Sequence, residues 1–361
     1  MPLGFQAFAH SSTAFTAGVS RLTRRVQRLQ FSSLLASAQR AAPLAAGLSL
    51  LSAAPWPSQA STSSAAAWHA SRLHSTAPTV ETVRQTVDSI GVPDTVPAEP
   101  GTDTSRAFGP SLRLLSGAAA IPHPDKAQTG GEDAHFISED GLALGVADGV
   151  GGWAEIGVDA GIYARLLMDH ANRAAGNTPP GPNAPGAILK EAHAKALVQG
   201  SSTACVLVLE GSRLHAANLG DSGFFVLRGE EVIFRSPTQQ HAFNFPYQLG
   251  SPGTNSDPPA VAELFSVDVA AGDVVICGTD GLWDNVFTEE SVTIVRTLHQ
   301  RGDNPHVAAA ALAQFARIRG EDKQHMSPFA AGAQACGHAY NGGKLDDITV
   351  IVSYISHAPK L

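Results

Sequence analysis

The sequence predicts an α+β fold in which antiparallel sheets pack beneath helices. From about residue 113 onward, short apolar runs follow one another, separated by glycine-containing turns, as is typical of strands and hairpins. Runs with strand patterns and runs with helix patterns are each grouped along the chain, which favours α+β over a strictly alternating α/β order. With 43% hydrophobic residues in 361, the chain can bury a sizeable core.

The first predicted elements are a hairpin and two helices. The stretches "HFISED" and "LALGVAD" are apolar runs joined around Asp140-Gly141, a pair that suits a turn. Residues 158–175 follow with apolar positions at helical spacing. The stretch "AILKEAHAKALVQG", residues 187–200, predicts a second helix that ends near Gly200.

The rest of the body alternates between a group of strands and a group of helices. Turn pairs at Glu210-Gly211 and Arg228-Gly229 fit two hairpin loops. The predicted elements after Gly200 are, in order, strands "STACVLVLE", "RLHAANLGD", "GFFVLRG", "EVIFRS" and "VVICGTD", helices over 288–301 and 305–319, and a closing strand "DITVIVSYI". No internal repeat is evident.

The N-terminal segment has the composition of an organellar transit peptide. Residues 1–80 contain six Arg but no Lys, Asp or Glu. Within them "VSRLTRRVQRL", residues 19–29, predicts a basic amphipathic helix that suits mitochondrial import. We expect delivery to the mitochondrial matrix, with the chloroplast as the alternative. The third possibility is a disordered tail that carries no targeting signal. Residues 81–112, rich in Pro, Thr, Asp and Ser, predict a linker, and residues 113–357 form the predicted catalytic domain.

Charge and composition exclude several classes of protein. Beyond residue 80 the chain carries 18 basic and 32 acidic residues, which argues against a nucleic-acid binder. The apolar run at 42–56 is too short for a stable membrane span. The three cysteines form no C-x-x-C pair and no C-x₅-R signature, and no H-E-x-x-H is present. An acidic body with these absences favours cation binding through oxygen ligands.

Acidic residues recur where apolar runs begin or end. One Asp beside one Gly is a common turn, but neighbouring antiparallel strands can bring such ends to one rim of a sheet. Carboxylates gathered there would repel one another unless protonated or bound to cations, and oxygen-only ligands suit Mg²⁺ or Mn²⁺. The residues are Glu132, Asp133, Asp148, Asp221, Asp280, Asp346 and Asp347.

The stretch "GVADGVGGW", residues 145–153, places one of these acids among glycines. Asp148 there is predicted to bridge two metal ions, because a shared carboxylate can hold two ions about 3.5–4 Å apart. Gly149 has no side chain, so its backbone carbonyl can approach one of the ions. The glycines that follow keep the rim open for a substrate.

Six blocks of the chain, in this order, resemble the metal-dependent serine/threonine phosphatases of the protein phosphatase 2C family. They are "GEDAHF", "ADGVGGW", "SSTACVLVL", "ANLGDSGFFVLR", "ICGTDGLWDNV" and "GGKLDDITVIV". The resemblance covers about residues 113–357. Two further stretches, over 239–250 and 327–350, resemble the compact organelle-targeted branch of that family. The resemblance implies an α-β-β-α sandwich, in which two antiparallel sheets lie face to face with helices outside.

The resemblance also implies roles for the matched residues, and a water bridging two Mn²⁺ or Mg²⁺ ions as the nucleophile. Asp148 bridges both ions, and Gly149 offers its carbonyl to one of them. Asp280 and Asp346 bind one ion. Glu132 holds the other ion directly or through water.

Three further acids complete the implied site. Asp133 positions a water and, with Asp148, Asp280 and Asp346, makes up the predicted catalytic set. Asp221 matches the acid of a third, weaker ion site. Asp284 supports the same water network.

Two positions depart from the family pattern. Val150 stands where many relatives have the histidine proposed as general acid, and His135 is the nearest replacement along the chain unless it is a core histidine. Gln128 stands where many relatives have a phosphate-binding arginine, so Lys126 is predicted to bind the substrate phosphate unless it is a solvated surface lysine.

The sequence therefore predicts an enzyme that hydrolyses phosphoserine and phosphothreonine in proteins of an organelle. Its expected partners are these phosphoproteins, with no nucleic acid and no stable membrane span, and we expect a monomer. Two alternatives are a non-catalytic module that binds phosphoproteins and a hydrolase that acts on a small phosphate metabolite.

Overall fold

The computed structural model describes residues 112–358. The transit peptide predicted over 1–80, and the predicted linker up to residue 111, lie outside the described residues. The strands of the described part are β1 (Leu112–Ile121), β2 (Asp133–Ile137), β3 (Ala143–Asp148), β4 (Ser201–Ser202), β5 (Ala204–Glu210), β6 (Arg213–Leu219), β7 (Gly223–Arg228), β8 (Glu231–Arg235), β9 (Gln240–Ala242), β10 (Phe245–Pro246), β11 (Leu249–Gly250), β12 (Glu263–Asp268), β13 (Val274–Gly278) and β14 (Ile348–His357).

Six α-helices accompany these strands within residues 112–358. They are α1 (Ala160–Ala175), α2 (Ala184–Lys195), α3 (Asp280–Trp283), α4 (Thr288–Gln300), α5 (Pro305–Glu321) and α6 (Pro328–Ala335). Short 3₁₀ turns span Pro124–Lys126, Gly151–Ile156 and Pro259–Val261. Over residues 112–358, none of the helices combines the length and apolar character that crossing a membrane requires.

Two five-stranded sheets carry the fold. The first has the strand order β1-β14-β13-β7-β8, and the second has the order β12-β6-β5-β3-β2. Every neighbouring pair in both sheets is antiparallel. The long β1–β14 ladder pairs Leu112 with His357 and Ile121 with Ile348, so the last strand of the domain lies beside the first. This confirms the predicted α+β class.

Three buried layers show the α-β-β-α sandwich. Between the sheets, Cys205 of β5 and Cys277 of β13 belong to one fully buried cluster. Phe225 of β7 packs in a second cluster with Leu312 of α5, on the outer face of the first sheet. A third cluster, which includes Tyr163 of α1, covers the outer face of the second sheet. Burial of these apolar faces is the main stabilising contribution to the sandwich.

Several element boundaries differ from the sequence prediction. The helix predicted over 158–175 begins at Ala160, because the Asp159 carboxylate accepts a hydrogen bond from the Gly161 N–H and caps the helix. The helix predicted over 187–200 is instead Ala184–Lys195, with a proline in its first turn, where a missing N–H costs nothing. The sequence prediction missed β1, β12 and α6, together with the short elements β9, β10, β11 and α3.

Candidate active site

Acids from both sheets meet at one rim of the sandwich. Asp133, which begins β2, and Asp148, which ends β3, are paired across the second sheet. In the first sheet, Asp280 follows the end of β13 and Asp346 precedes the start of β14, which are adjacent antiparallel strands. The fold therefore brings the four predicted catalytic acids together from parts of the chain up to about two hundred residues apart, as the strand ends predicted.

The hydroxyl of Thr279 joins the two sheets at this rim. It donates a hydrogen bond to Asp133 Oδ2 in the opposite sheet, at 2.8 Å. The Thr279 hydroxyl oxygen also accepts a hydrogen bond from the Thr349 N–H of β14, at 3.0 Å. A single threonine thus fixes Asp133 relative to β13 and β14.

The Asp148-Gly149 pair is held by backbone hydrogen bonds. The Thr203 N–H donates to the Asp148 carbonyl at 2.9 Å, and the Gly149 N–H donates to the Glu132 carbonyl at 3.1 Å. A Cβ at Gly149 would lie 2.7 Å from the Glu132 carbonyl oxygen. The glycine is therefore required by close packing against Glu132, in addition to the open approach that the sequence predicted.

Burial and mutual repulsion raise the pKa of most of these carboxyls. Burial is the largest cause for Asp133, Asp148 and Asp346, and neighbouring carboxylates add to it. Asp280 is the exception: burial is the largest single cause and opposes ionisation, but the ammonium of Lys344 and the hydrogen bonds with Asp148 and Asp284 together lower the pKa of Asp280. Most carboxyls of the site therefore hold a proton more readily than an exposed carboxyl does.

Lys344 lies among three of the acids. Its Nζ is 2.5 Å from Asp280 Oδ2, 2.7 Å from Asp284 Oδ2 and 3.2 Å from Asp346 Oδ2. Burial nevertheless raises the pKa of Asp284 to about 8, with Lys344 lowering it in part. The sequence prediction assigned no role to this lysine, although "GGKLDD" places it two residues before Asp346.

Lys126 occupies the other side of the site. Its Nζ is 2.5 Å from Glu132 Oε2 and 3.1 Å from Asp347 Oδ2. The Asp347 carboxylate also accepts hydrogen bonds from the His123 N–H at 2.7 Å and the Glu132 N–H at 3.1 Å. Lys126 thus lies beside the acid cluster, and Asp347 supports it, a role that the sequence prediction did not assign.

Asp221 lies at the same rim, after the end of β6. Its Oδ2 accepts a hydrogen bond from Gln240 Nε2 at 2.9 Å. Burial, with repulsion from Asp280, raises the pKa of Asp221 to about 7, while Gln240 and Lys344 lower it in part. The acid predicted for a third ion site is therefore within electrostatic reach of both Asp280 and Lys344.

At this rim, three buried carboxylate oxygens have no hydrogen-bond partner among the described residues: Oδ1 of Asp133, of Asp221 and of Asp280. Leaving such an oxygen buried and unpaired is unfavourable, and a bound cation relieves it. An all-oxygen set of this kind fits Mg²⁺ or Mn²⁺. Over residues 112–358 no three His, Cys, Asp or Glu side chains form a ready-made ligand group; the ammonium groups of Lys126 and Lys344 hold several of the acids.

The structure also shows where the two residues of the departing general-acid position, Val150 and its possible replacement His135, lie. Val150 follows Gly149 at the rim, and its N–H donates to the Ser201 carbonyl at 3.0 Å. His135 lies two residues beyond Asp133 on the same face of β2, because alternate residues of a strand point the same way. The His135 side chain is exposed, so it is not a core histidine.

The raised carboxyl pKa values predict how the stability of the metal-free chain depends on pH. Asp221 and Asp284 have folded pKa values of about 7 and about 8, against an ordinary value of 3.8. The folded state holds these protons more tightly than the unfolded state, so their stabilisation is complete below pH 3.8 and is lost as the pH rises toward 8. In EDTA, we expect urea unfolding to show a free energy that falls over this window by up to about 1.4 kcal/mol per pH unit for each such carboxyl.

Asp284→Asn removes one titrating group and should flatten this slope. Asp268→Asn is the matched control, because Asp268 is exposed and pairs with Arg213 instead. A slope unchanged by Asp284→Asn would contradict the assignment.

Comparisons with known proteins identify the family. Over 245 residues the chain is 53% identical to "Probable protein phosphatase 2C 55" of Arabidopsis thaliana, an alignment that covers 68% of this chain and 52% of that protein. It is 39% identical over 259 residues to "Probable protein phosphatase 2C 26" of the same species, covering 68% and 85%. The solved structure of the photosystem II phosphatase PBCP has a TM-score of 0.62 at 36% identity, covering 67% of this chain and 98% of that one.

No family model matches the chain. The chain spans about half the length of the first of these relatives. The second relative and the solved structure, however, are aligned over most of their own lengths. On these grounds the chain belongs to the protein phosphatase 2C family of metal-dependent serine/threonine phosphatases.

Proposed function

We propose that this chain hydrolyses phosphoserine and phosphothreonine in proteins, with two Mn²⁺ or Mg²⁺ ions at the rim. The observation that supports the proposal most directly is that Asp133 and Asp280, which come from opposite sheets, each keep a buried oxygen without a partner. Such oxygens fit cations, and the family membership supplies the reaction.

The residues that would hold the ions are those that the sequence predicted: Glu132, Asp148, Gly149, Asp280 and Asp346. When bound, the ions would lower the pKa of a water molecule and neutralise charge on the phosphoryl oxygens. Fixed carboxylates at the end of rigid strands suit this purpose, because little reorganisation is needed as the reaction proceeds.

Two groups of the chain would act on water and substrate directly. Asp133 is held by Thr279 through Oδ2, which leaves Oδ1 free to accept a hydrogen bond from the attacking water. Lys126 Nζ would donate to a phosphoryl oxygen as a flexible point charge. Val150 has no proton to donate, so protonation of the leaving oxygen falls to another group.

A phosphopeptide assay tests the proposal. We expect the chain to release phosphate from phosphoserine and phosphothreonine peptides in Mn²⁺ or Mg²⁺, and to lose this activity in EDTA. Preference for small phosphate esters over phosphopeptides would favour the metabolite hydrolase. Phosphopeptide binding without turnover of any ester would favour the non-catalytic module.

Lys126→Met tests the phosphate-binding role. Removing the ammonium should raise KM for a phosphopeptide by about tenfold, because a hydrogen bond to a charged group contributes about 1.5–3 kcal/mol. Lys126→Arg keeps the charge and should recover part of this loss. The control is Lys190→Met, at an exposed position of α2. An unchanged KM in Lys126→Met would contradict the assignment.

We propose the mitochondrial matrix as the site of action, with the chloroplast as the alternative. The arginine-rich, acid-free residues 1–80 support import into an organelle. The relative named photosystem II phosphatase supports the chloroplast alternative. Imaging residues 1–80 fused to a fluorescent protein distinguishes the two compartments, and a fusion that stays in the cytosol would contradict both.

A further inference from the structure

Lys344 is held by its backbone as well as by its side chain. Its N–H donates to Asn285 Oδ1 at 2.9 Å, and Asn285 Nδ2 donates to the Lys344 carbonyl at 2.7 Å. Asn285 is fully buried and also donates to the Gly281 carbonyl at 2.9 Å. The lysine is therefore attached to the helix that carries Asp280, not to a free loop.

The Lys344 ammonium is surrounded by carboxylates, as a bound metal cation would be. Its three N–H donors face three carboxylates, those of Asp280, Asp284 and Asp346, at 2.5–3.2 Å. On another side it lies 5.2 Å from the centroid of the Phe329 ring, within the range of a cation–π contact. Its side chain is only 18% exposed. Little room is left for water to screen this charge.

The two carboxylate oxygens of Asp280 have different surroundings. Oδ2 accepts from Lys344, whereas Oδ1 is buried without a hydrogen-bond partner. One carboxylate can therefore bind an ion through Oδ1 while Oδ2 stays on the ammonium. Asp221 and Asp284 both lie within electrostatic reach of Asp280 and of Lys344.

We propose that the Lys344 ammonium is a permanent cation bound in the place of the third metal ion, so that this chain binds two divalent ions. A divalent ion added among Asp221, Asp280 and Asp284 would lie against a fixed positive charge, and their repulsion in a poorly screened site disfavours it. Lys344 thus acts as a positioning residue, because it holds Asp280 and Asp346 without contacting the reacting atoms. This inference rests on the proposed function, and it assigns the Lys344 ammonium to the place of the third ion that the sequence allowed.

Counting bound Mn²⁺ on the full chain tests the inference. Equilibrium dialysis at saturating Mn²⁺ should give two ions for the unaltered chain and for Lys344→Arg, which keeps the charge. Lys344→Gln should gain a third ion, because its carboxylates are no longer neutralised. Lys190→Gln, at an exposed position of α2, is the control and should stay at two.

Two outcomes overturn the inference: three ions on the unaltered chain, or an unchanged count in a folded Lys344→Gln. If Lys344→Gln does not fold in EDTA, thermal unfolding of this variant in Mn²⁺ replaces the count. Binding of a third ion should then restore a cooperative unfolding transition. The absence of such a transition in Mn²⁺ would contradict the proposal. The count is independent of turnover. Hydrolysis with three ions bound would defeat only this inference, whereas the expected counts without any hydrolysis would defeat only the proposed function.

Discussion

Asp148→Asn and Asp280→Asn should each lower kcat/KM for a phosphopeptide by about a thousandfold or more, because each removes charge from the centre of the site. Asparagine keeps the size of the side chain but cannot replace a charged oxygen ligand. Asp148 lies among other acids: burial is the largest cause of its raised pKa, and Asp280, Asp133 and Asp346 add to it. The measurement is phosphate release at saturating Mn²⁺ and at several peptide concentrations.

Stability measurements on Asp148→Asn distinguish a loss of catalytic activity from a loss of folding. Removing one charge from mutually repelling carboxylates should leave the metal-free Asp148→Asn chain at least as stable as the original, a common trade-off at functional sites. Asp268→Asn, at an exposed Asp that ends β12 and pairs with Arg213, is the control and should retain activity. Near-normal turnover by Asp148→Asn would remove the basis of the proposed mechanism.

Gly117→Ala should destabilise the domain by about 2–3 kcal/mol, because the added methyl group has no room in the packed interior. Gly117 lies in the middle of β1, where α5 begins against the strand. An added Cβ would overlap the backbone of Pro305 and His306. Backbone atoms cannot move aside as the end of a flexible side chain can, so the helix would have to shift.

Gly181→Ala is the matched control. Gly181 lies between α1 and α2, and an added Cβ there would meet no atom within 4 Å. Urea unfolding should show a lower midpoint for Gly117→Ala and a nearly unchanged one for Gly181→Ala. Equal stability of the two variants would contradict the close packing of β1 against α5.

Local sequence signals predicted the order of the main strands and helices but not every element. The hairpin around Asp140-Gly141 was confirmed because both strands have strongly apolar patterns and a clear turn between them. Helix α6 was missed because its eight residues are mostly small, with little periodic contrast. Strand β12 was missed because it alternates weakly and is mostly exposed.

The candidate site shows the same division between local and long-range information. Asp148, Asp280 and Asp346 were predicted because each lies at the end of an apolar strand. The role of Lys344 depends on Asn285, which is 59 residues away, and on carboxylates from other elements. Asp347 gains its role from the His123 N–H, 224 residues away. Contacts this distant leave no pattern in the sequence beside either residue.

If Asp133 positions the attacking water as proposed, the Thr279 hydroxyl makes turnover depend on the spacing between the two sheets. Since this one group is bonded to strands of both layers, any repacking that thickens or thins the apolar interior must stretch, tilt or break the link that aims Asp133. Conservative substitutions deep in the interior, far from any substrate, would then slow turnover well before the fold melts.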